Sequence, residues 1–158
     1  MRFLLMLLLA FQVPGAAKPA PATDQDPFAA LRDQWAKDLK GKFVDDSLAQ
    51  YAPDVDFISD AGRTHGMAAL RQLFTTITKT FDSDLAFHSE RIEISGELAY
   101  DSGTYKETLL NRATGKAQPM AGDYLTVYRR TKLANGNAMW LIAEQVWTGK
   151  ADNTASRQ

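Results

Sequence analysis

Leu85–Leu110 reads LAFHSERIEISGELAYDSGTYKETLL, and this stretch decides the fold. β-Branched and aromatic residues run through two long segments, and Ser95-Gly96-Glu97 between them is turn chemistry. The pattern predicts two antiparallel strands, Leu85–Ser95 and Leu98–Leu110. Further along, Asn111–Gly115 is a second turn and Pro119–Thr131 a third strand, with Tyr124, Val127 and Tyr128 suited to a pleated surface. Asn135-Gly136 is a hairpin signal, and Met139–Thr148 is the last strand. Four long strands joined by short turns make an antiparallel meander.

The residues before this meander have helical period. Asp26 can cap a first helix and Pro27 suits its first position. Phe28, Leu31, Trp35 and Leu39 then form one apolar stripe, and Gly41 can end the helix. A short second helix is expected from Asp46 or Ser47 to Tyr51, stopped by Pro53. Val55–Ser59 has strand character, and Asp60-Ala61-Gly62-Arg63 is a turn. After Gly66, a long helix carries Met67, Leu70, Leu73, Phe74, Ile77 and Phe81 on one face and fails near Asp82-Ser83-Asp84. Helices early and strands late give an α+β domain in which N-terminal helices cover one face of a mainly antiparallel sheet.

Simple alternation puts Trp140, Ile142 and Val146 on one face of the last strand and Leu141, Ala143 and Trp147 on the other. A sheet apolar on both faces needs a second cover, so a homodimer packed through the outer sheet face is expected.

The chain has 158 residues and a net charge of −1, with acidic and basic residues interspersed, which gives no footprint for nucleic acid or an anionic membrane surface. It begins Met1-Arg2, continues with an uncharged run Phe3–Phe11, and reaches Pro14-Gly15-Ala16-Ala17. A positive start, a short apolar run and small residues read as a secretory signal peptide cut after Ala17. The run is far shorter than the ~20 apolar residues of a membrane span. Removing Arg2 takes the net charge to −2. Residues 1–17 are thus read as the signal, 18–25 as a Pro/Ala-rich spacer, 26–149 as the domain and 150–158 as a loose polar tail, in a protein of the periplasm or cell exterior. With no cysteine, the exported domain must be held by its core rather than by disulfides, and a cysteine zinc site is excluded.

Several local features, taken in order, resemble the nuclear transport factor 2-like superfamily, and within it SnoaL-like proteins and the domain of unknown function 4440 group. They are Trp35 on the first helix, Tyr51-Ala52-Pro53-Asp54-Val55-Asp56-Phe57, and Gly66 before Met67-Ala68-Ala69-Leu70. Ala99-Tyr100-Asp101-Ser102-Gly103-Thr104-Tyr105, Gly122-Asp123-Tyr124-Leu125 and the closing strand Trp140–Trp147 follow. The resemblance covers about Pro27–Thr148 and implies a cone-shaped fold with a deep pocket between the helices and a concave sheet. The superfamily contains isomerases, cyclases, dehydratases and dimerisation modules, so fold alone does not settle function. Ketosteroid isomerases need a carboxylate base near the first strand, a phenol donor from helix one and a protonated Asp on the third long strand. By resemblance the third-strand acid falls on Asp123 and the phenol on Trp35, while the base falls around Phe57–Ser59, where there is no carboxylate. That catalytic set is incomplete.

The candidate catalytic residues are His88 and Asp123. A mid-strand His88 can face the pocket as a base or donor, or sit on the sheet rim. Asp123 is either a pocket acid with a raised pKa or a solvated residue near a turn. Asp101 alternates with Gly103 and Tyr105, and the period does not say whether that face is concave. Gln145 and Trp147 share a face, assigned here to the concave side. The expected ligand-binding set is Trp35, Phe57, His88, Tyr105, Asp123, Gln145 and Trp147. His65 reads as a loop residue, and nothing in the spacing supports a metal site or another cofactor. The leading expectation is an exported binder of a small apolar or aromatic molecule, with an enclosed cavity of roughly 300 Å³ or more. The alternatives are a SnoaL-like isomerase, cyclase or hydratase using general acid–base chemistry, and a dimeric interaction module whose pocket is closed by aromatic side chains.

Overall fold

The structure is a computed structural model and describes residues 26–133 and 136–149. The expected signal, spacer and tail lie outside the described residues, as does Asn135 of the Asn135-Gly136 turn. No described helix is long and apolar enough to cross a membrane.

Helices α1 (Ala29–Gly41) and α2 (Val44–Leu48) are followed by strands β1 (Tyr51–Ser59) and β2 (Gly62–His65) and by helix α3 (Met67–Thr80). The long strands β3 (Phe81–Ser95), β4 (Leu98–Asn111), β5 (Ala117–Lys132) and β6 (Ala138–Gly149) complete the chain. They form one six-stranded sheet in the order β2-β1-β6-β5-β4-β3, antiparallel except for the β1–β6 pair. The α+β architecture and the meander are as the sequence predicts.

The helices are placed by their apolar stripes. Trp35 and Leu39 of α1 and Leu70 and Phe74 of α3 are buried against the sheet, and Phe28, just before α1, is wholly buried. Each such side chain contributes about 1.5–3 kcal/mol by leaving water. The expected cap is displaced: α1 begins at Ala29 with Phe28 at the N-cap position and no side-chain cap, so Pro27 precedes the helix, and Asp26 instead accepts a hydrogen bond from the Phe28 N–H at 2.9 Å in the turn before it. At the other end the left-handed residue is Lys42 (φ 63°), one position after the expected Gly41.

Three local readings change. The second helix lies two to three residues earlier than expected, and β1 already starts at Tyr51, running through Pro53. Pro53 is exposed, within the stretch from Tyr51 to Asp56 where the pairing with β6 shifts register, so its missing N–H breaks no regular ladder. The expected turn at residues 60–63 is a tighter hairpin, because Ser59 pairs with Gly62 and the chain continues into β2. Helix α3 ends at Thr80, and Phe81 opens β3 directly.

The fourth change decides the interior. Val127 pairs with Glu144 but Tyr128 pairs with Ile142, so Ala143 is an extra residue in β6. This bulge switches the alternation. Trp140 and Ile142 before it and Gln145 and Trp147 after it pack on the helix side. The reading that set Trp147 on the face opposite Trp140 and Ile142 is therefore corrected. A second bulge at Glu90 lies between the Ser89–Gly103 and Arg91–Ser102 pairs.

Two glycines let backbones meet under the core. A Cβ at Gly103 would lie 2.0 Å from the His88 carbonyl oxygen, and one at Gly122 would lie 1.7 Å from that of Thr148 and 2.8 Å from the Tyr105 ring. Gly122→Ala should therefore lower the unfolding free energy by at least about 1–3 kcal/mol in a urea titration. An unchanged midpoint would show that β6 moves aside freely.

Candidate functional site

The concave face of the sheet is the buried one. Tyr51, Val55 and Phe57 of β1, Phe87 and Ser89 of β3, and Asp101 and Tyr105 of β4 point to it. Tyr124, Thr126 and Tyr128 of β5 join Ile142, Gln145 and Trp147 of β6.

Aromatic rings fill the centre of this face. Trp147 lies 4.4 Å from Tyr105, 5.5 Å from Phe87, 5.7 Å from Trp35 and 6.3 Å from Phe57, centroid to centroid. Phe74 of α3 packs edge-on to Trp35, Tyr51 and Phe57. Toward the other end, Phe28 stacks flat on Tyr128 at 4.1 Å. These spacings are those of favourable ring packing, and each pair adds about 0.5–1.5 kcal/mol beyond burial. The space left between α1 and the sheet, beside Arg32, Trp35, Gln50, Thr126 and Gln145, is about 10 Å³, enough for one water molecule. Among the described residues, this space falls far short of the expected enclosed cavity of roughly 300 Å³, because the rings occupy the volume.

Two polar networks cross the core. In the first, the Tyr51 hydroxyl donates to Gln145 Oε1 at 2.6 Å, and Gln145 Nε2 donates to Thr126 Oγ1 at 3.3 Å. Burial pushes the Tyr51 phenol well above its ordinary range, so it stays a neutral donor. The second centres on Asp101, which is 0% exposed. It accepts from Ser89 Oγ at 2.6 Å, from the Tyr124 hydroxyl at 3.1 Å and from the guanidinium of Arg32. Arg32 also binds Asp26, so one α1 side chain ties a buried strand carboxylate to the chain entering the domain. Burial opposes the Arg32 charge, but Asp26 and Asp101 outweigh it and hold it firmly protonated. Burial, then the Asp101 charge, raises the Tyr124 phenol. Donors from three elements, α1, β3 and β5, thus converge on Asp101 inside the core.

Among the described residues, two buried groups lack hydrogen-bond partners, the indole N–H groups of Trp35 and Trp147. That of Trp35 lies toward the Tyr51 phenol but outside hydrogen-bonding geometry.

The structure brings Trp35, Phe57, Tyr105, Gln145 and Trp147 together inside the cone. His88 and Asp123 are not with them. Both are exposed and alternate to the outer face, in a row that pairs His88 with Thr104 and Thr104 with Asp123. The odd-numbered neighbours Phe87 and Tyr105 and the even-numbered Gly122 and Tyr124 take the inward places instead. His65 lies on β2 with Nδ1 3.1 Å from Asp56 Oδ1, and Arg63 is 2.9 Å from the other oxygen. Among the described residues, no three His, Cys, Asp or Glu side chains are grouped to hold a metal ion. Sequence reasoning missed the Arg32–Asp101 pair. Its one signal is that Arg32 borders the stripe of Leu31 and Trp35 while Asp101 alternates with Gly103 and Tyr105.

No protein-family model matches the chain, and no curated protein does. Solved structures do. A protein from Xanthomonas campestris named for the association domain of calcium/calmodulin-dependent protein kinase II matches with TM-score 0.69 at 20% identity, over 84% of this chain and 92% of its own. A nuclear transport factor 2-like superfamily protein from Salmonella enterica matches with TM-score 0.65 at 21% identity, over 80% and 91%. This chain has the nuclear transport factor 2-like fold. A ketosteroid isomerase-like protein from Erwinia carotovora atroseptica shares that fold too, with TM-score 0.65 at 20% identity over 77% of this chain and 92% of its own. Identities at this level speak to the nuclear transport factor 2-like architecture and not to an activity.

Arg32→Met should cost about 3–5 kcal/mol in chemical denaturation, because it leaves a buried carboxylate without its cation. Adding Asp101→Asn should recover most of that loss, and a single-variant cost below about 1 kcal/mol would show that the pair does not hold the helix. The Asp26 end gives a pH signature. Partial burial opposes the Asp26 charge, but hydrogen bonds from Arg32 and from the Phe28 N–H hold its pKa below 3.8. A depressed carboxylate stabilises fully above its unfolded value and loses that contribution as pH falls through the folded one. Asp26→Asn should therefore flatten the acid limb of the stability profile and leave its alkaline limb unchanged.

Proposed function

We propose that this chain is an exported interaction module that pairs with itself through the outer face of its sheet, its interior serving as structural core. The observation that carries this reading is the ring-filled cone. A pocket that leaves about 10 Å³ has no room for an organic ligand. The outer face supports it. Ile58, Tyr100, Val127 and Val146 are half-buried there and Leu125 is 37% exposed. Arg91, Glu93, Arg129 and Glu144 surround them. An apolar centre with a charged rim is the usual composition of a protein interface. Trp147 is not part of this face, since its ring lies inside. Export rests on the Met1–Ala17 pattern.

A second reading keeps the small-molecule binder. Its support is the unpartnered indole N–H of Trp35, a residue that lines the small space with Gln145, Thr126 and Arg32, since buried donors are seldom left unsatisfied. A small polar ligand would then enter as α1 shifts outward. Native mass spectrometry of Lys18–Gln158 from its own host distinguishes the two, because the module reading expects an empty protein and the binder reading a defined organic adduct. The enzyme reading has lost its residues from the interior, His88 and Asp123 both being on the outer face.

Light scattering at micromolar concentration should give twice the mass of the mature chain, whose N-terminus should be Lys18. Leu125→Glu should reduce it to the mass of one chain with an unchanged circular dichroism spectrum, as a charge placed in an apolar interface centre costs several kcal/mol of association. A wild-type mass equal to one chain would remove the self-pairing proposal.

A further inference from the structure

Among the described residues, β6 reaches less far along the sheet than β3, β4 and β5. Its last described pair is Gly149 with Gly122, and beyond it β3, β4 and β5 continue as a three-stranded extension. Across that extension runs an open groove of about 570 Å³, from Asp84–Ala86 over Lys106–Thr108 to Pro119–Ala121. Six of its nine lining residues alternate to the outer face. The groove exists because this row of the outer face is made of small side chains, with Ala86 and Ala121 flanking Lys106 and Pro119 beside Thr108. It lies off the apolar centre around Leu125.

The charges in the groove are unequal in how far they are already satisfied. Asp84 is bound by Lys40 Nζ at 2.7 Å. Glu107 alternates to the inner face, where its carboxyl accepts from the buried Ser83 Oγ at 2.6 Å and burial pushes it toward the neutral form, so it places no charge in the groove. Lys106 has no ion pair and no hydrogen bond among the described residues. The groove therefore offers an apolar floor, one unmatched ammonium and the Thr108 hydroxyl. His88 and Asp123 stand on the next row of the same face. Three strands span about 10 Å, the length of an extended chain of about eight carbons.

We propose that this groove binds an aliphatic monocarboxylate, the carboxylate on Lys106 and the hydrocarbon chain along Ala86, Ala121 and Pro119. The proposal is independent of self-pairing. The probe is sodium octanoate, titrated by calorimetry and by amide chemical shifts, with octylamine as the charge-reversed control. Saturable binding is expected, with shifts confined to residues 84–88, 104–108 and 119–123. Lys106→Glu should weaken it at least about tenfold, as loss of a charge-assisted contact does. Lys106→Arg should retain it, and Ala121→Trp should fill the groove and abolish it. Each variant's fold is checked by circular dichroism. Absence of saturation, undiminished binding by Ala121→Trp, octylamine binding as tightly as octanoate, or shifts centred on Trp35 and Trp147 would each overturn the assignment. Molar mass read on the same samples keeps the two proposals separate, since a monomer that binds octanoate rejects only the self-pairing, and a dimer that does not rejects only the groove.

Discussion

Arg32 reaches from α1 across to Asp101, a fully buried carboxylate of β4, and also holds Asp26 at the mouth of the domain. A charge in the core is tolerated only when it is matched and hydrogen-bonded. Asp101 has Arg32, Ser89 and Tyr124, which come from a helix and two further strands. Helix, sheet and the entering chain must all be in register before the pair is satisfied. The apolar stripes of α1 and α3 could slide along a smooth sheet at modest cost, but the Asp101 contact fixes where α1 stops. With α1 fixed, Trp35 meets Trp147 and Phe87, and Phe28 meets Tyr128.

That placement also closes the cone. In a fold used for binding and for assembly alike, the difference rests on whether side chains leave the inner space open. Here the rings leave almost nothing, while the outer face keeps half-exposed rows around Leu125 and, beside a groove, Lys106, which has no ion pair among the described residues.

The order of elements was legible because long alternating runs and a clear helical stripe leave few other readings. Leu85–Leu110 needed only a period of two and one turn, and Met67–Ile77 only a period near 3.6. The interior was half legible. Trp35, Phe57, Tyr105, Gln145 and Trp147 meet inside, but His88 and Asp123 do not, since a residue's face depends on the pairing partner. Nor could alternation reveal the extra residue in β6, because a bulge is a property of two strands and leaves no mark in one. Arg32 and Asp101 are far apart in the chain and became a pair only once α1 was laid on the sheet.

The bulge at Ala143 makes the contents of the core a matter of counting. Every residue of β6 beyond it owes its side to that single insertion. Loss of one codon there would leave the composition of the strand almost untouched, yet turn Gln145 and Trp147 to the solvent and send Glu144 and Val146 inward. The same run of amino acids could then line a hollow cone instead of a filled one. Among proteins of this architecture, an insertion or deletion in the last strand can therefore change an inner surface more than any substitution, and comparison by residue identity alone would pass over it.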